Sequence, residues 1–322
     1  MSQTSRASDN GEGYELIDGF KIIDVHVHPF PTASVGTGAQ FGRLAVGLTG
    51  TVEELLPLMG ETGIDRGVLL GATPVGDMVE AAWSKLGFEG DLCDEDEECQ
   101  AINAEIVSRV RRRNAWVCAV AREYSVFVPF VSVDPRMGVE SMIVEAEAKR
   151  TEGARGIKLH PAAQRFPPGD RRMWPVYTWA EENDIPVVFH TGWYYATGQQ
   201  PEYSEPKRFA DLLRDFPRLR VVLAHAGGGY WDQAIELAQA FSQVHFDTSV
   251  AFTASPAYRQ PLSDDEVIAL IRAFGAHRLL FGSEYPWLHP IREATRITSL
   301  PIADVDKRLI LAENAQRVYG LD

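Results

Sequence analysis

The stretch Ile22-Ile23-Asp24-Val25-His26-Val27-His28-Pro29 decides how the rest of the chain is read. Read as a strand, its side chains alternate between two faces, so His26 and His28 point the same way. Ile22, Ile23, Val25 and Val27 surround them with apolar neighbours, as in a strand covered on both faces. Two buried imidazoles on one face need polar partners or a metal ion. At the end of a strand they offer two ligands to one cation.

Working outward, the 322 residues are too many for a minimal domain and suit one large α/β barrel or two smaller domains. A net charge of −14 argues against nucleic acid and against an anionic membrane surface as partners. Cys93, Cys99 and Cys118 form no CxxC pair, and their odd, sparse number suggests reduced thiols in a cytoplasmic protein. Met1 to Gly13 is polar and lacks the apolar centre of a signal peptide. No run approaches the roughly 18 apolar residues of a membrane span. Residues 1–20 read as an N-terminal extension and 21–322 as the barrel.

A loop from Pro29 to Gly50 is long enough to be a lid or mobile. Thr51 then caps a helix that ends near Gly63, with Glu54 at the capping-box position. The strand Gly67–Ala72 follows. Residues 74–126 are an insertion that could cap the site. They carry an acidic run, a long helical pattern from about Glu97 to Val120, and a basic stripe of Arg109, Arg111, Arg112 and Arg113. Both charge runs read as solvated faces. After the strand Phe127–Asp134 the chain turns regular. Short apolar strands at 156–160, 186–190, 220–225, 244–248 and 278–284 are each followed by a helical pattern. Eight strands alternating with helices predict an eight-stranded α/β barrel, with a doubly wound open sheet as competitor.

The polar residues choose between them. His26 and His28, His160, His190, His225, Asp247 and Glu284 all fall at or near the C-terminal ends of their strands. In a barrel those ends converge on one rim, where such enzymes place their chemistry. In an open sheet they would be strung along a line too long for one site. Any one buried histidine is readily a satisfied core residue; the joint pattern is not. Three histidines and a carboxylate suit one divalent metal, zinc first on nitrogen count, with manganese or iron as alternatives and a dinuclear site also open.

The motifs DVHVHP, GIKLHP, VFHTG, LAHAGG, FGSEYP and ENAQRVYG together resemble the amidohydrolase superfamily. They are most similar to its amidohydrolase-2 branch, which includes aminocarboxymuconate-semialdehyde decarboxylase-like enzymes. The resemblance spans about residues 20 to 321 and implies a distorted (β/α)8 barrel with a divalent metal at the rim. It implies that His26, His28 and His190 are ligands. His225 would orient or deprotonate a metal-bound water, or bind a second metal. The family usually has aspartate where this chain has Glu284. The longer side chain leaves Glu284 open as terminal ligand, bridge or acid/base group.

The leading expectation is a hydrolase acting on a small organic substrate through a metal-activated water, with His225 or Glu284 handling the proton. The alternatives are a non-oxidative decarboxylase, a dinuclear iron or manganese oxygenase, and the structural metal-binding subunit of an oligomer. Lys158 and Asp247 are candidates for a second metal or for support of the first. Lys158 reads best as a buried lysine paired with a strand carboxylate. His160, Arg165, Trp193, Tyr194 and Trp287 are candidate substrate contacts, Arg165 because a guanidinium grips a carboxylate bidentately. A homo- or hetero-oligomer is expected.

Overall fold

A computed structural model describes residues 19–85, 97–193, 203–253 and 262–321. Eight strands make one sheet in chain order. They are β1 (Ile23–Val27), β2 (Arg66–Leu70), β3 (Phe127–Val131), β4 (Gly156–Leu159), β5 (Val187–Phe189), β6 (Val221–Leu223), β7 (Val244–Asp247) and β8 (Leu279–Leu280). Every adjacent pair is parallel. The backbone of Val25 donates to Phe281 O at 2.9 Å, that of Glu284 to His26 O at 2.9 Å, and that of His28 to Tyr285 O at 2.8 Å. Those bonds join β1 to the chain just past β8, so the sheet curls into a nearly closed barrel and the open-sheet alternative falls. Asp24 reinforces the join, its Oδ1 accepting from Ser283 N at 2.9 Å.

The helices are α1 (Ala33–Ala39), α2 (Val52–Thr62), α3 (Val75–Lys85), α4 (Glu97–Glu123), α5 (Val139–Thr151), α6 (Pro161–Gln164), α7 (Trp174–Glu182), α8 (Ala210–Asp215), α9 (Trp231–Ala240), α10 (Asp264–Phe274), α11 (Pro290–Thr298), α12 (Asp304–Arg308) and α13 (Asn314–Tyr319). Local chemistry sets several boundaries. Thr51 and Glu54 make a reciprocal capping box on α2, which stops at Gly63 in the left-handed region (φ 75°). Ser263 and Glu266 do the same for α10, whose first turn carries Asp264, Asp265 and Glu266.

The barrel interior is filled by inward residues of alternating register, among them Ile23, Val25, Val68, Leu70, Phe130, Val188, Val222 and Leu280. Each such burial is worth about 1.5–3 kcal/mol. α13 plugs the end where the strands begin. Tyr319 packs edge-on to Phe130 (centroids 4.8 Å), and Asn314 Nδ2 donates to Leu279 O at 2.7 Å. The opposite, C-terminal ends of the strands are left for the polar cluster.

Several expectations are corrected. The Pro29–Gly50 stretch contains α1, capped by Thr32. The insertion holds α3 as well as α4, and α11 precedes the helix expected at about 303–318. Helix α3 lies hard against the rim: a Cβ on Gly76 would sit 2.8 Å from the backbone of Gln164. The basic stripe is not one solvated face. Arg109 and Arg112 pair with Glu105 and Arg111 approaches Glu145, but Arg113 turns inward. Cys99 is disulfide-bonded while Cys118 is free and buried. An odd cysteine count leaves one thiol over but does not forbid a pair. The N-terminal extension to residue 18 and part of the acidic run lie outside the described residues. Among those described, no helix is long and apolar enough to cross a membrane.

Candidate metal centre

Strand alternation puts His26 and His28 on one face, and their Nε2 atoms lie 3.0 Å apart. The other nitrogen of each ring is committed. His26 Nδ1 faces Asp247 Oδ2 at 2.8 Å, so it carries the proton and donates. His28 Nδ1 donates to Leu70 O at 3.2 Å. Both Nε2 atoms are therefore lone pairs pointing into the same space. Glu284 Oε2 joins them, 3.1 Å from His26 Nε2. Lone pairs converging in a buried site repel one another unless a cation sits among them. This donor set fits a divalent metal.

Asp247, at the end of β7, and Ser249 organise the support. Asp247 Oδ1 accepts from His225 N at 2.9 Å and from Ser249 Oγ at 2.6 Å. Ser249 Oγ also lies 2.8 Å from His225 Nδ1 and 3.1 Å from His26 Nδ1. Outer partners of this kind fix ring orientation and tautomer. His225 Nε2 meets His190 Nδ1 at 3.0 Å, and His190 Nε2 faces Trp193 O at 3.3 Å. His160 stacks on His190, centroids 3.8 Å apart and 10° from parallel. Ligand atoms of His26, His225 and Glu284 all fall within 4.8 Å of one another.

The backbone is bent to achieve this. His225 (φ 62°) and Glu284 (φ 64°) both take left-handed conformations, which cost a non-glycine residue about 1–3 kcal/mol. The bonds from His225 N to Asp247 and from Glu284 N to His26 O hold them there. Glycines permit the approach. A Cβ on Gly192 would sit 2.3 Å from Gly228 Cα, so the loops after β5 and β6 touch backbone to backbone. A Cβ on Gly282 would sit 2.7 Å from the Cβ of His26.

The electrostatics keep the donors ready. Burial holds His26, His28, His160 and His190 well below the ordinary histidine range, and nearby positive charge adds to it. Burial pushes His225 down to about 3. All five rings are thus neutral at physiological pH, as ligands must be. Burial raises Glu284, and Lys158 opposes that shift. It lowers Lys158, against the pull of Asp247 and Glu284. Asp24 is raised to about 7 by burial, with its bonds to Ser283 as the main opposing influence.

The structure thus brings His26, His28, His190, His225, Asp247 and Glu284 into one cluster, with His160 stacked behind. Lys158 lies in the barrel with its Nζ buried; Asp247 and Glu284 pull on its charge, but among the described residues it makes no hydrogen bond. Trp287 stands edge-on to His28 at 5.5 Å. The Trp193 side chain is drawn towards Tyr230, centroids 6.3 Å apart. Arg165 points elsewhere, paired with Asp77 at 3.2 Å and with Glu80 of α3. Tyr194 lies outside the described residues. Sequence reading missed Ser249 and the Leu70 carbonyl. The alternation Asp247-Thr248-Ser249 could have pointed to the first; a backbone acceptor leaves no sequence signal.

Residues 23–321 match the family model described as Amidohydrolase. The chain is 26% identical over 254 residues to a 2-keto-4-carboxy-3-hexenedioate hydratase from Sphingobium sp., covering 69% of this chain and 70% of that protein. Among solved structures, a 2,6-dihydroxybenzoate decarboxylase from Rhizobium is similar with a TM-score of 0.70 at 17% identity, covering 94% of this chain and 100% of that one. A dihydroxybenzoic acid decarboxylase from Polaromonas sp., with bound manganese and the inhibitor 2-nitroresorcinol, gives a TM-score of 0.70 at 17% identity, with 94% and 98% covered.

Proposed function

The chain belongs to the amidohydrolase family, and from that premise we propose that it is a metal-dependent lyase that decarboxylates a small carboxylated substrate. The pair of lone-pair Nε2 atoms of His26 and His28 facing Glu284 Oε2 in a buried cluster supports the metal dependence, and the likeness to decarboxylases and a hydratase supports the lyase chemistry. His26 and His28, with His190 and His225 beside them, would hold one divalent ion, with Glu284 standing next to it as the acid/base group. When bound, that ion supplies positive charge to grip and polarise a substrate oxygen. Manganese is the ion bound in the Polaromonas decarboxylase; zinc suits the nitrogen-rich donor set equally.

The rest falls to the chain's own residues. Asp247 and Ser249 orient His26 and His225 by the bonds described above. Trp287 walls the site beside His28. Glu284, whose Oε2 lies 3.1 Å from His26 Nε2 at the rim, is the acid/base group that would deliver a proton to carbon. In the balanced step the C–C bond to the carboxylate breaks, CO2 leaves, and the carbon that held it takes a proton. His225, neutral down to about pH 3, serves as acceptor and positioning group rather than as that acid.

The Sphingobium relative favours a second reading. There the same acid would protonate one carbon of a carboxylated double bond while water adds to the other. Hydrolysis, the expectation from sequence, is the weaker reading because the named relatives are decarboxylases and a hydratase. The test is incubation of the manganese-loaded and metal-stripped protein with a panel of hydroxybenzoates, unsaturated keto-dicarboxylates and lactones. Metal-dependent CO2 release supports decarboxylation, and water addition supports hydration. Lactone opening without either would overturn the lyase reading.

A further inference from the structure

Arg113 separates itself from the basic run on α4. Its Nη2 donates to Pro29 O, the residue next to His28. Its guanidinium carbon lies 5.3 Å from the Phe30 ring and 4.7 Å from the Trp116 ring. Phe30 meets Trp287 at 6.0 Å, and Trp287 meets His28 at 5.5 Å. Backbone and rings thus tie this cation to the loop that leaves the rim beside the histidines. Among the described residues no carboxylate pairs with it, whereas Arg109, Arg111 and Arg112 each have one. The residue is half-buried. Burial lowers its guanidinium to about 10, which leaves it charged at neutral pH, and that charge is felt at His28.

A guanidinium carries several N–H donors in a planar fork, and a carbonyl with two aromatic faces satisfies only part of it. Withdrawing such a cation from water without a counter-ion is unfavourable. The fork matches a carboxylate. We infer that Arg113 is a specificity residue that receives a second carboxylate of the substrate, so that the substrate class is a small dicarboxylate. The inference rests on the reading of the histidine cluster as a metal centre that holds the first carboxylate. It also gives the insertion a part in recognition, because α4 carries the arginine to the rim.

The test is calorimetric titration of the full-length, manganese-loaded chain with isophthalate and with benzoate, probes that differ by one carboxylate. Isophthalate is expected to bind about ten- to hundred-fold more tightly, the worth of a charge-assisted pair. Arg113→Met should erase that preference, bringing isophthalate down to the affinity of benzoate. Arg113→Lys should restore part of it, which a merely structural role would not do. Equal affinities or no binding on the wild type would overturn the assignment. So would a preference that persists undiminished in both variants, or a variant that weakens both probes alike. Metal removal separates the two readings: it should abolish benzoate binding if the cluster holds the first carboxylate, whatever becomes of the isophthalate preference.

Discussion

Gly282→Ala tests whether the centre depends on close packing behind His26. The glycine has no positive φ, so its backbone accepts alanine and the effect is steric. The new methyl would lie 2.7 Å from the Cβ of His26 and 3.2 Å from that of Ser249. Ordinary carbon contacts fall at about 3.5–4.0 Å, so the two must part by roughly 1 Å. A Cβ is fixed to its backbone and cannot rotate away. His26 must therefore move against its 2.8 Å bond to Asp247 and its 3.1 Å contact with Ser249. Metal–ligand distances tolerate only about 0.2 Å. Disturbing the groups that orient a ligand costs about 10- to 100-fold in metal affinity, and displacing the ligand should cost at least that. The overpacking itself should destabilise the fold by about 1–3 kcal/mol. Metal affinity would be measured by competition with a chromophoric chelator, alongside urea unfolding in metal-free buffer. Gly169→Ala is the control, because nothing lies within 4 Å of its added methyl. Wild-type metal affinity in folded Gly282→Ala would refute the packing argument.

Replacing His26 and His28 together by alanine should abolish metal uptake, and full stoichiometry in the double variant would sink the site. Glu284→Gln keeps the shape but removes the transferable proton. It should lower CO2 release by about 10²-fold or more while the fold stands, and near-normal turnover would remove Glu284 from the acid role. Asn114→Leu should cost about 2–4 kcal/mol in urea unfolding. It strips Ser132 of two bonds, at 2.8 and 2.9 Å, that join α4 to the chain after β3; an unchanged midpoint would show that water replaces them. Glu293, buried beside Thr253, is pushed by burial from 4.5 up to about 8. Over that window the unfolded chain loses the proton that the folded one keeps. Wild-type stability relative to Glu293→Gln should therefore fall from about pH 4.5 to about pH 8 and level off above; a flat difference would show that Glu293 is ionised in the fold.

The barrel and the position of its rim were legible because both follow from short-range regularities. The two-residue period of β1 placed His26 and His28 together, and the recurrence of a histidine or carboxylate at strand ends placed His190, His225, Asp247 and Glu284. The support was not legible, because it depends on where loops cross. Ser249 lies beyond the end of β7 and meets His26 only after the barrel closes. Arg165 looked free in sequence, but α3 arrives from 88 residues away to pair with it. Arg113 looked solvated because its helix has arginines on several faces; which one turns inward is decided by Pro29, Phe30 and Trp116. Lys158 was expected to pair with a strand carboxylate; Asp247 and Glu284 pull on its charge, but among the described residues its ammonium makes no hydrogen bond, a distinction that depends on side-chain reach rather than strand position.

The join between β1 and the chain past β8 also has a consequence in time. Asp24 and His26 lie near one end of the chain, while Ser283 and Glu284, to which they bond, lie some 260 residues later. A ribosome must therefore deliver all eight strands before the first histidine pair gains its carboxylate and its backbone anchor. A nascent chain holding only β1 to β6 exposes His26 and His28 without the residues that orient them, because Asp247, Ser249 and Glu284 are still unmade. On that reading metal capture would belong to the completed polypeptide. The ion would arrive as the last part of assembly rather than as its nucleus.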